Sequence, residues 1–581
     1  MNKKIKKFIS YYRPYRWLFC TDMFFAIVGA LVSLVFPILI RIITGTVLKS
    51  ETLNMNYLYI LAIIFLVIVA LEYICNYYVA YQGHTMGVYM ERDMRNELFA
   101  HLQKLSFHFY DKEKTEKLVS SLAHDLFSLT ELFHHGPEDI VISVIKFVGA
   151  ILILSTINMT LTVFVFITVP VIVIIAIHYN RYLKRAYTRN QVHMNAIHAR
   201  MEEDIMGIPT VKNFGNENFE LQKFYDDNEQ YAHSKRASYY YMGKYNAGLN
   251  GFISMIRVII VFFGLILISQ EEIYSSDLIA FVLYINNLIE PIKKLVDFST
   301  EVFHEGLSSY ARFIHILELE PDVQDAPDAR ELQEVKGDIL YDHVSFSFSK
   351  DKDYIFNNIS LHVRPGETIA IVGGSGVGKT TLCALLARFF EVTSGKITID
   401  GEDIRSFTQS SLRNAIGIVQ QETYLYSGSI LENIRYGNLL ASDEEVKAAA
   451  KAANAHDFII DLPNGYQTDC AQHGLHLSID QKQRINNARV FLRDPTILIV
   501  DEATNGQDSE SDRIMQESLY SLVQNRTTLI IAHRLSTVTR ADRICLITKE
   551  GAVEQGTHEQ LLHKNGQYAS YYTCNLINKK I

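Results

Sequence analysis

The sequence predicts an α-helical six-span transmembrane domain followed by a cytosolic α/β domain of the P-loop type. Three observations carry that expectation. All the long apolar runs lie within residues 1–300. Residues 373–381 read Gly-Gly-Ser-Gly-Val-Gly-Lys-Thr-Thr, which fits the phosphate-cradling pattern G-x-x-x-x-G-K-[ST]. Residues 497–504 read Ile-Leu-Ile-Val-Asp-Glu-Ala-Thr, a buried-strand pattern that ends in two adjacent carboxylates. For 581 residues, 48% hydrophobic content is too apolar for an ordinary soluble enzyme, and 20% charged content is too polar for a wholly embedded chain. The uneven distribution resolves the conflict. The expected division is a transmembrane domain over 1–315, a linker over 316–336 and a nucleotide-binding domain over 337–581.

A membrane-crossing helix needs ~20 mostly apolar residues. Six stretches qualify: 23–47, 58–81, 137–157, 159–180, 246–269 and 276–295. They are apolar nearly all round, so periodicity does not reveal which face each one buries. Lys3, Lys4, Lys6, Lys7, Arg13 and Arg16 precede the first span, whereas loop 48–57 holds only Lys49 and loop 270–275 has no Lys or Arg. The positive-inside rule therefore puts the N-terminus in the cytoplasm, and six crossings return the chain to the side where the P-loop domain meets nucleotide. No signal peptide is expected. The inner connections, 82–136 and 181–245, are far longer than the outer ones and rich in helix formers, so they read as cytosolic extensions of the spans. Tyr11, Tyr12, Tyr15 and Trp17, and Tyr239, Tyr240 and Tyr241, stand where an aromatic belt would lie.

Arg41, Glu72, Lys146, Arg257 and Glu290 fall in or near the spans. Ionisable groups there either line a water-filled pathway, pair with one another or snorkel to the interface. His134 and His135 are adjacent at a membrane edge, but two ligands fall short of the roughly three or four a zinc site takes, so a structural role is expected of them. The six cysteines show no paired spacing and read as free thiols in a reducing compartment. A net charge of −9 without a basic stripe argues against nucleic acid as a partner.

In the second half, the strand Thr368–Val372 precedes the P-loop and the apolar helix Leu382–Phe390 follows it, which is the context the motif requires. Gly373, Gly374, Ser375, Gly376, Val377 and Gly378 would close their backbone amides around phosphates, with the helix N-terminus aimed at them. Lys379 would reach the β- and γ-phosphate oxygens, Thr380 would hold Mg²⁺, and Thr381 completes the motif. Asp501, ending its strand, is placed for the Mg²⁺ shell. Glu502 is the candidate general base for an attacking water.

At this point the chain resembles the ATP-binding cassette (ABC) transporters, specifically bacterial half-transporters of the exporter type, over nearly its whole length. Val344-Ser-Phe-Ser-Phe348 is similar to the family's adenine-stacking segment, with Phe348 where a tyrosine is usual. Val419-Gln420-Gln421-Glu422 resembles the Q-loop, which implies that Gln421 senses Mg²⁺ and the γ-phosphate. Ile531-Ala-His533-Arg534 resembles the switch-histidine segment, which implies a γ-phosphate contact for His533. Gly207–Lys212 and Phe109–Lys112 look like the coupling-helix regions. The resemblance implies ATP and Mg²⁺ as ligands, a second half-transporter and the lipid bilayer as partners, and a multi-pass protein of the cell membrane.

Departures from the family pattern are concentrated on one surface. Where the family signature reads Leu-Ser-Gly-Gly-Gln, this chain has Leu477-Ser478-Ile479-Asp480-Gln481. In such dimers the signature, including Ser478 and Gln481 here, completes the ATP site of the opposite subunit. Ile479 puts a branched side chain where close backbone approach is needed. Asp480 adds a negative charge. At a separation of about 4 Å from phosphate oxygens and an effective dielectric of about 20, the repulsion is ~4 kcal/mol per unit charge. Cys470–Gly474 and Asn505–Asp508 also depart from the usual segments, while Lys379, Thr380, Gln421, Asp501, Glu502 and His533 match. This asymmetry favours a heterodimer with one competent and one degenerate ATP site, exporting amphipathic small molecules, lipids or peptides. The alternatives are a homodimeric exporter with slow hydrolysis, an importer built on the exporter fold, as in siderophore-type members, and a non-transporting regulatory ATPase subunit.

Overall fold

The computed structural model describes residues 2–49, 55–112, 118–119, 121–300, 302–348, 353–421, 423–470, 477–501, 510–532 and 535–578. The chain divides into two units: Met1–Lys104 with Lys114–Leu319, and Leu105–Glu113 with Glu320–Ile581.

The first unit is helical. An N-terminal helix, α1 (Asn2–Ser10), precedes α2 (Arg16–Lys49) and α3 (Met55–Leu102); the short α4 (Phe107–Lys112) counts with the second unit. Then come α5 (Leu126–Ile157), α6 (Met159–Met206), the short α7 (Ile208–Phe214), α8 (Glu217–Ser269), α9 (Ser275–Thr300) and α10 (Val302–Leu317). Five of these, α2, α3, α5, α6 and α8, are long and apolar enough to cross a membrane. The sixth expected span, α9, is 26 residues long and carries Asp277, Glu290, Lys293, Lys294 and Asp297. As expected, α3, α6 and α8 run far beyond membrane thickness.

Packing selects the stripe that composition left open. On α8, Tyr245, Leu249, Ile253, Ile256, Ile260, Gly264 and Leu267 are buried, a three-and-four spacing that faces a single direction. Small residues let helices close in: a Cβ on Gly264 would lie 2.4 Å from Leu278 Cδ1, and one on Gly149 would lie 2.3 Å from Leu34 Cδ1. The intramembrane charges mostly pair. Arg41 Nε donates to Asp277 Oδ1 at 2.6 Å, Lys146 Nζ stands 3.5 Å from Glu290 Oε2, and Arg257 donates to Asn286 Oδ1 at 2.6 Å. The aromatic-belt expectation divides. Trp17, Tyr239 and Tyr240 are exposed. Tyr11, Tyr12 and Tyr15 instead turn inward, their hydroxyls donating to Glu97, the Phe133 carbonyl and Asp93, because a phenol seeks a partner when one is in reach.

The second unit holds two sheets. An antiparallel sheet has the order β2-β1-β4-β5, from β1 (Ile339–Phe346), β2 (Phe356–Val363), β4 (Ser394–Ile399) and β5 (Glu402–Asp403). The larger sheet has the order β10-β9-β3-β8-β7-β6, from β3 (Thr368–Val372), β6 (Ile416–Val419), β7 (Ile497–Asp501), β8 (Thr527–Ile531), β9 (Arg543–Thr548) and β10 (Gly551–Gly556). It is parallel except for β10. The central strands are buried on both faces. Ile369 and Ile371 join the core shared with the antiparallel sheet, whereas Ala370 and Val372 join the core on the other face. Helix α11 (Lys379–Leu386) follows β3. A helical lobe contains α12 (Ile430–Arg435), α13 (Asp443–Ala452) and α14 (Ile479–Arg493), packed through Ile430, Ile434, Val446, Ile485 and Ala488. Cys20, Cys75, Cys383, Cys470 and Cys545 are free. Burial pushes the Cys545 thiol up to about 12.

Candidate functional site

Register in the parallel sheet brings the chemistry to one edge. Ile371 pairs with Ile531, Asp501 with Ile531, and Val419 with Val500. The P-loop after β3, Asp501 at the end of β7, Ala532 after β8 and Gln420-Gln421 after β6 therefore leave the sheet side by side, at the carboxyl edge where open α/β sheets bind ligands. Glu502 directly follows β7, and His533 follows β8 after Ala532, but both lie outside the described residues, as do Glu422, Arg534, Ala471–Gly474 and Asn505–Asp508.

Glycine is required at two places in the loop. A Cβ on Gly373 would lie 2.4 Å from the Ile547 carbonyl oxygen. Gly378 has φ +90°, and its Cβ would lie 2.6 Å from Ile355 Cγ2 and 2.8 Å from Phe356 Cδ1, so any side chain there meets both strain and collision. Gly374, Ser375 and Gly376 are exposed, and Val377 anchors the loop against the core. Lys379 is buried, its Nζ donating to the carbonyl oxygens of Gly373 at 3.0 Å and Gly374 at 2.9 Å. Burial lowers its ammonium pKa below the ordinary lysine value, with Asp501 acting in the opposite direction. Thr380 Oγ1 donates to Asp501 Oδ2 at 3.3 Å, bringing together two hard oxygens of the kind Mg²⁺ accepts. Thr381 is half-buried one position further along α11.

Phe348 is partly exposed, edge-on to Phe346 and Phe390, with its ring parallel to the His108 imidazole at 6.0 Å. Gln421 is exposed just beyond β6. At the other end of the lobe, Ser478 caps α14. Its side chain accepts from Gln481 N at 3.2 Å, while Gln481 Oε1 accepts from Ser478 N at 2.9 Å. This reciprocal capping box occupies both polar side chains within the helix start. Ile479 is 77% exposed at the first helical position. Asp480 sits in the first turn, where a carboxylate complements the helix dipole. It also acts on Arg484: burial lowers that guanidinium's pKa, and Asp480 raises it.

The chain matches the model of the ABC transporter transmembrane region over residues 19–292 and that of the ABC transporter over residues 356–505. A Bacillus subtilis protein named "Uncharacterized ABC transporter ATP-binding protein YwjA" is 40% identical over 570 residues, covering 97% of this chain and 98% of that one. This chain belongs to the ABC transporter family. A second Bacillus subtilis relative, "Putative multidrug export ATP-binding/permease protein YgaD", is 32% identical over 579 residues, covering 99% of this chain and 100% of its own. Among solved structures, a bacterial Atm1-family ABC exporter with ATP bound superposes with a TM-score of 0.82 at 28% identity, covering 96% of this chain and 98% of its own. The ABC protein described here is thus a multi-pass membrane transporter with an ATP-binding, ATP-hydrolysing domain.

Local sequence pattern does not single out the residues that tie α14 to the segment after β6. Gln483 donates to the Gln420 carbonyl at 3.3 Å and accepts from Thr423 Oγ1 at 2.8 Å. Arg489 donates to the Tyr424 carbonyl at 2.7 Å and to the Asn433 carbonyl and Oδ1, both at 2.6 Å. These are ordinary polar residues on a helix, and no spacing signal separates them from a solvated face.

Proposed function

We propose that this chain is one half of a heterodimeric ATP-driven exporter with one competent and one degenerate ATP site, moving amphipathic small molecules, lipids or peptides outward by alternating access. The observation that carries the reading is the contrast within the nucleotide-binding domain. Lys379, Thr380 and Asp501 converge at the sheet edge, while the start of α14 presents exposed Ile479 and the Asp480 carboxylate. Export is supported by the likeness to an Atm1-family ABC exporter and to a relative named for multidrug export.

In this reading the P-loop amides and Lys379 bind the phosphates of ATP, and Phe348 stacks on the base. Thr380, Gln421 and Asp501 hold Mg²⁺, which supplies charge neutralisation on the phosphates when bound. Glu502 accepts the proton of the attacking water, and His533 contacts the γ-phosphate. Lys379 exchanges its two carbonyl partners for phosphate oxygens, a replacement that strengthens each bond because both partners are then charged. The partner's signature closes this chain's site, and Leu477–Gln481 closes the partner's. ATP acts by binding the closed dimer better than the open one.

The deciding experiment is the vanadate-sensitive ATPase rate of the chain purified alone in lipid, beside its Glu502→Gln variant. ATP binding without turnover supports the heterodimer. Robust turnover that is lost in the variant means that a homodimer tolerates Ile479 and Asp480, and the heterodimer reading fails.

A further inference from the structure

Beyond the ATP chemistry, we propose that the membrane domain holds one divalent first-row transition-metal ion between α2, α3 and α5, bound by Asp22, His134 and Glu138. One ligand atom from each of the three residues lies within 4.8 Å of the others. All three side chains are buried: Asp22 is 1% exposed, His134 3% and Glu138 8%. Both Asp22 carboxylate oxygens, His134 Nδ1 and Glu138 Oε2 have no hydrogen-bond partner. Among the described residues neither carboxylate has a lysine or arginine within salt-bridge distance, and His134 Nδ1 stands 3.6 Å from Glu138 Oε2.

Orphaned buried carboxylates are costly, and a site with two of them beside an imidazole nitrogen calls for a compensating positive charge. A doubly charged cation balances both carboxylates at once. The donor set of one nitrogen and two oxygens suits Zn²⁺, Mn²⁺ or Co²⁺ rather than a soft, thiolate-seeking ion. Bonds of ~2.1 Å in a tetrahedron put ligand atoms about 3.4 Å apart, so the donors need only a small inward adjustment.

The backbone around the cluster is built to admit it. A Cβ on Gly83 would lie 2.0 Å from His134 Cε1 and 2.5 Å from Nδ1, so the ring occupies space that only glycine leaves open. One residue on, His84 Nδ1 lies 3.2 Å from His134 Nε2 on the far side of the ring and 2.7 Å from the Ala80 carbonyl oxygen. Pro137 lacks the amide that would bond the Phe133 carbonyl within α5. Tyr12 Oη supplies the missing donor at 2.6 Å. His134 and Glu138, four residues apart on α5, share one helix face, and Asp22 of α2 meets them there.

The test uses the full-length, tag-free protein in lipid nanodiscs, stripped with EDTA and loaded with Zn²⁺ or Co²⁺ without nucleotide. We expect the Asp22→Asn/Glu138→Gln variant to bind one fewer Zn²⁺ per chain than the wild type. It should also lose the visible Co²⁺ absorption of a mixed nitrogen–oxygen site, and Zn²⁺ should raise the melting temperature of the wild type alone. Equal Zn²⁺ content and equal Co²⁺ spectra in the two proteins would overturn the proposal and leave the cluster sharing protons instead. Wild-type protein that takes up neither Zn²⁺ nor Co²⁺ would overturn it too, whether or not the variant folds.

Discussion

The carboxyl edge of the parallel sheet and the start of α14 belong to one nucleotide-binding domain, yet they are built for different ends. At the sheet edge, strand register gathers the P-loop, Asp501 and Gln421, and the loop is shaped so that only glycine fits at 373 and 378. At the start of α14, the polar side chains of Ser478 and Gln481 close on each other, while Asp480 meets the positive end of the helix with a charge of this chain's own. A helix N-terminus attracts an anion because its amides are unpaired and its dipole is positive. Here the cap and Asp480 satisfy both features internally. In the proposed reading, the comparison teaches that a domain can keep the parts that serve its own ligand and give up the surface it would present to a second one.

The largest expected effect tests the sheet edge. In a complex that turns over, Glu502→Gln should lower the ATPase rate by about 10²–10⁴, the range of a general base, with ATP binding kept; an unchanged steady-state rate would remove Glu502 from the role of base. Next comes repair of the other surface. Ile479→Gly with Asp480→Gly should raise the ATPase rate of the chain purified alone by at least about tenfold, since ~1.4 kcal/mol off the barrier suffices for that factor. No gain would mean that the start of α14 does not limit turnover.

Gly378→Ala should cost about 1–3 kcal/mol from its backbone conformation, plus the collision with Ile355 and Phe356. Thermal unfolding and nucleotide titration would both register it. The smallest effect concerns the link between the two regions. Gln483→Ala removes the bonds to Gln420 and Thr423, at about 1 kcal/mol each. It should slow turnover several-fold with little change in ATP affinity. A change in affinity alone would show that Gln483 acts on binding rather than on the Q-loop's position.

Much of this molecule is legible locally. The P-loop, the run into Asp501-Glu502 and the segment Leu477–Gln481 are each contained in a few consecutive residues, because phosphate binding uses neighbouring backbone amides and a strand end. The spans are legible because a bilayer demands an uninterrupted apolar stretch. What distance along the chain conceals is pairing. Arg41 pairs with Asp277, 236 positions along the chain, and no local pattern marks that partner. Tyr11, Tyr12 and Tyr15 resembled lipid-facing aromatics because composition does not reveal that Glu97, the Phe133 carbonyl and Asp93 stand within reach.

By itself, then, the sequence determined the architecture of a multi-span helical region followed by a P-loop domain, the order of the ATP motifs and the residues Ile479 and Asp480 at the start of α14, all of which depend on local composition and spacing. Tertiary structure alone decided which faces of the apolar helices are buried, how Gln483 and Arg489 brace the segment after β6, and which buried charges meet. His134 and His135 are a pair too small for a metal site in sequence. Helix packing brings Asp22, Gly83, His84 and Glu138 around His134, and that gathering of remote residues follows from close helix approach, which no local pattern encodes.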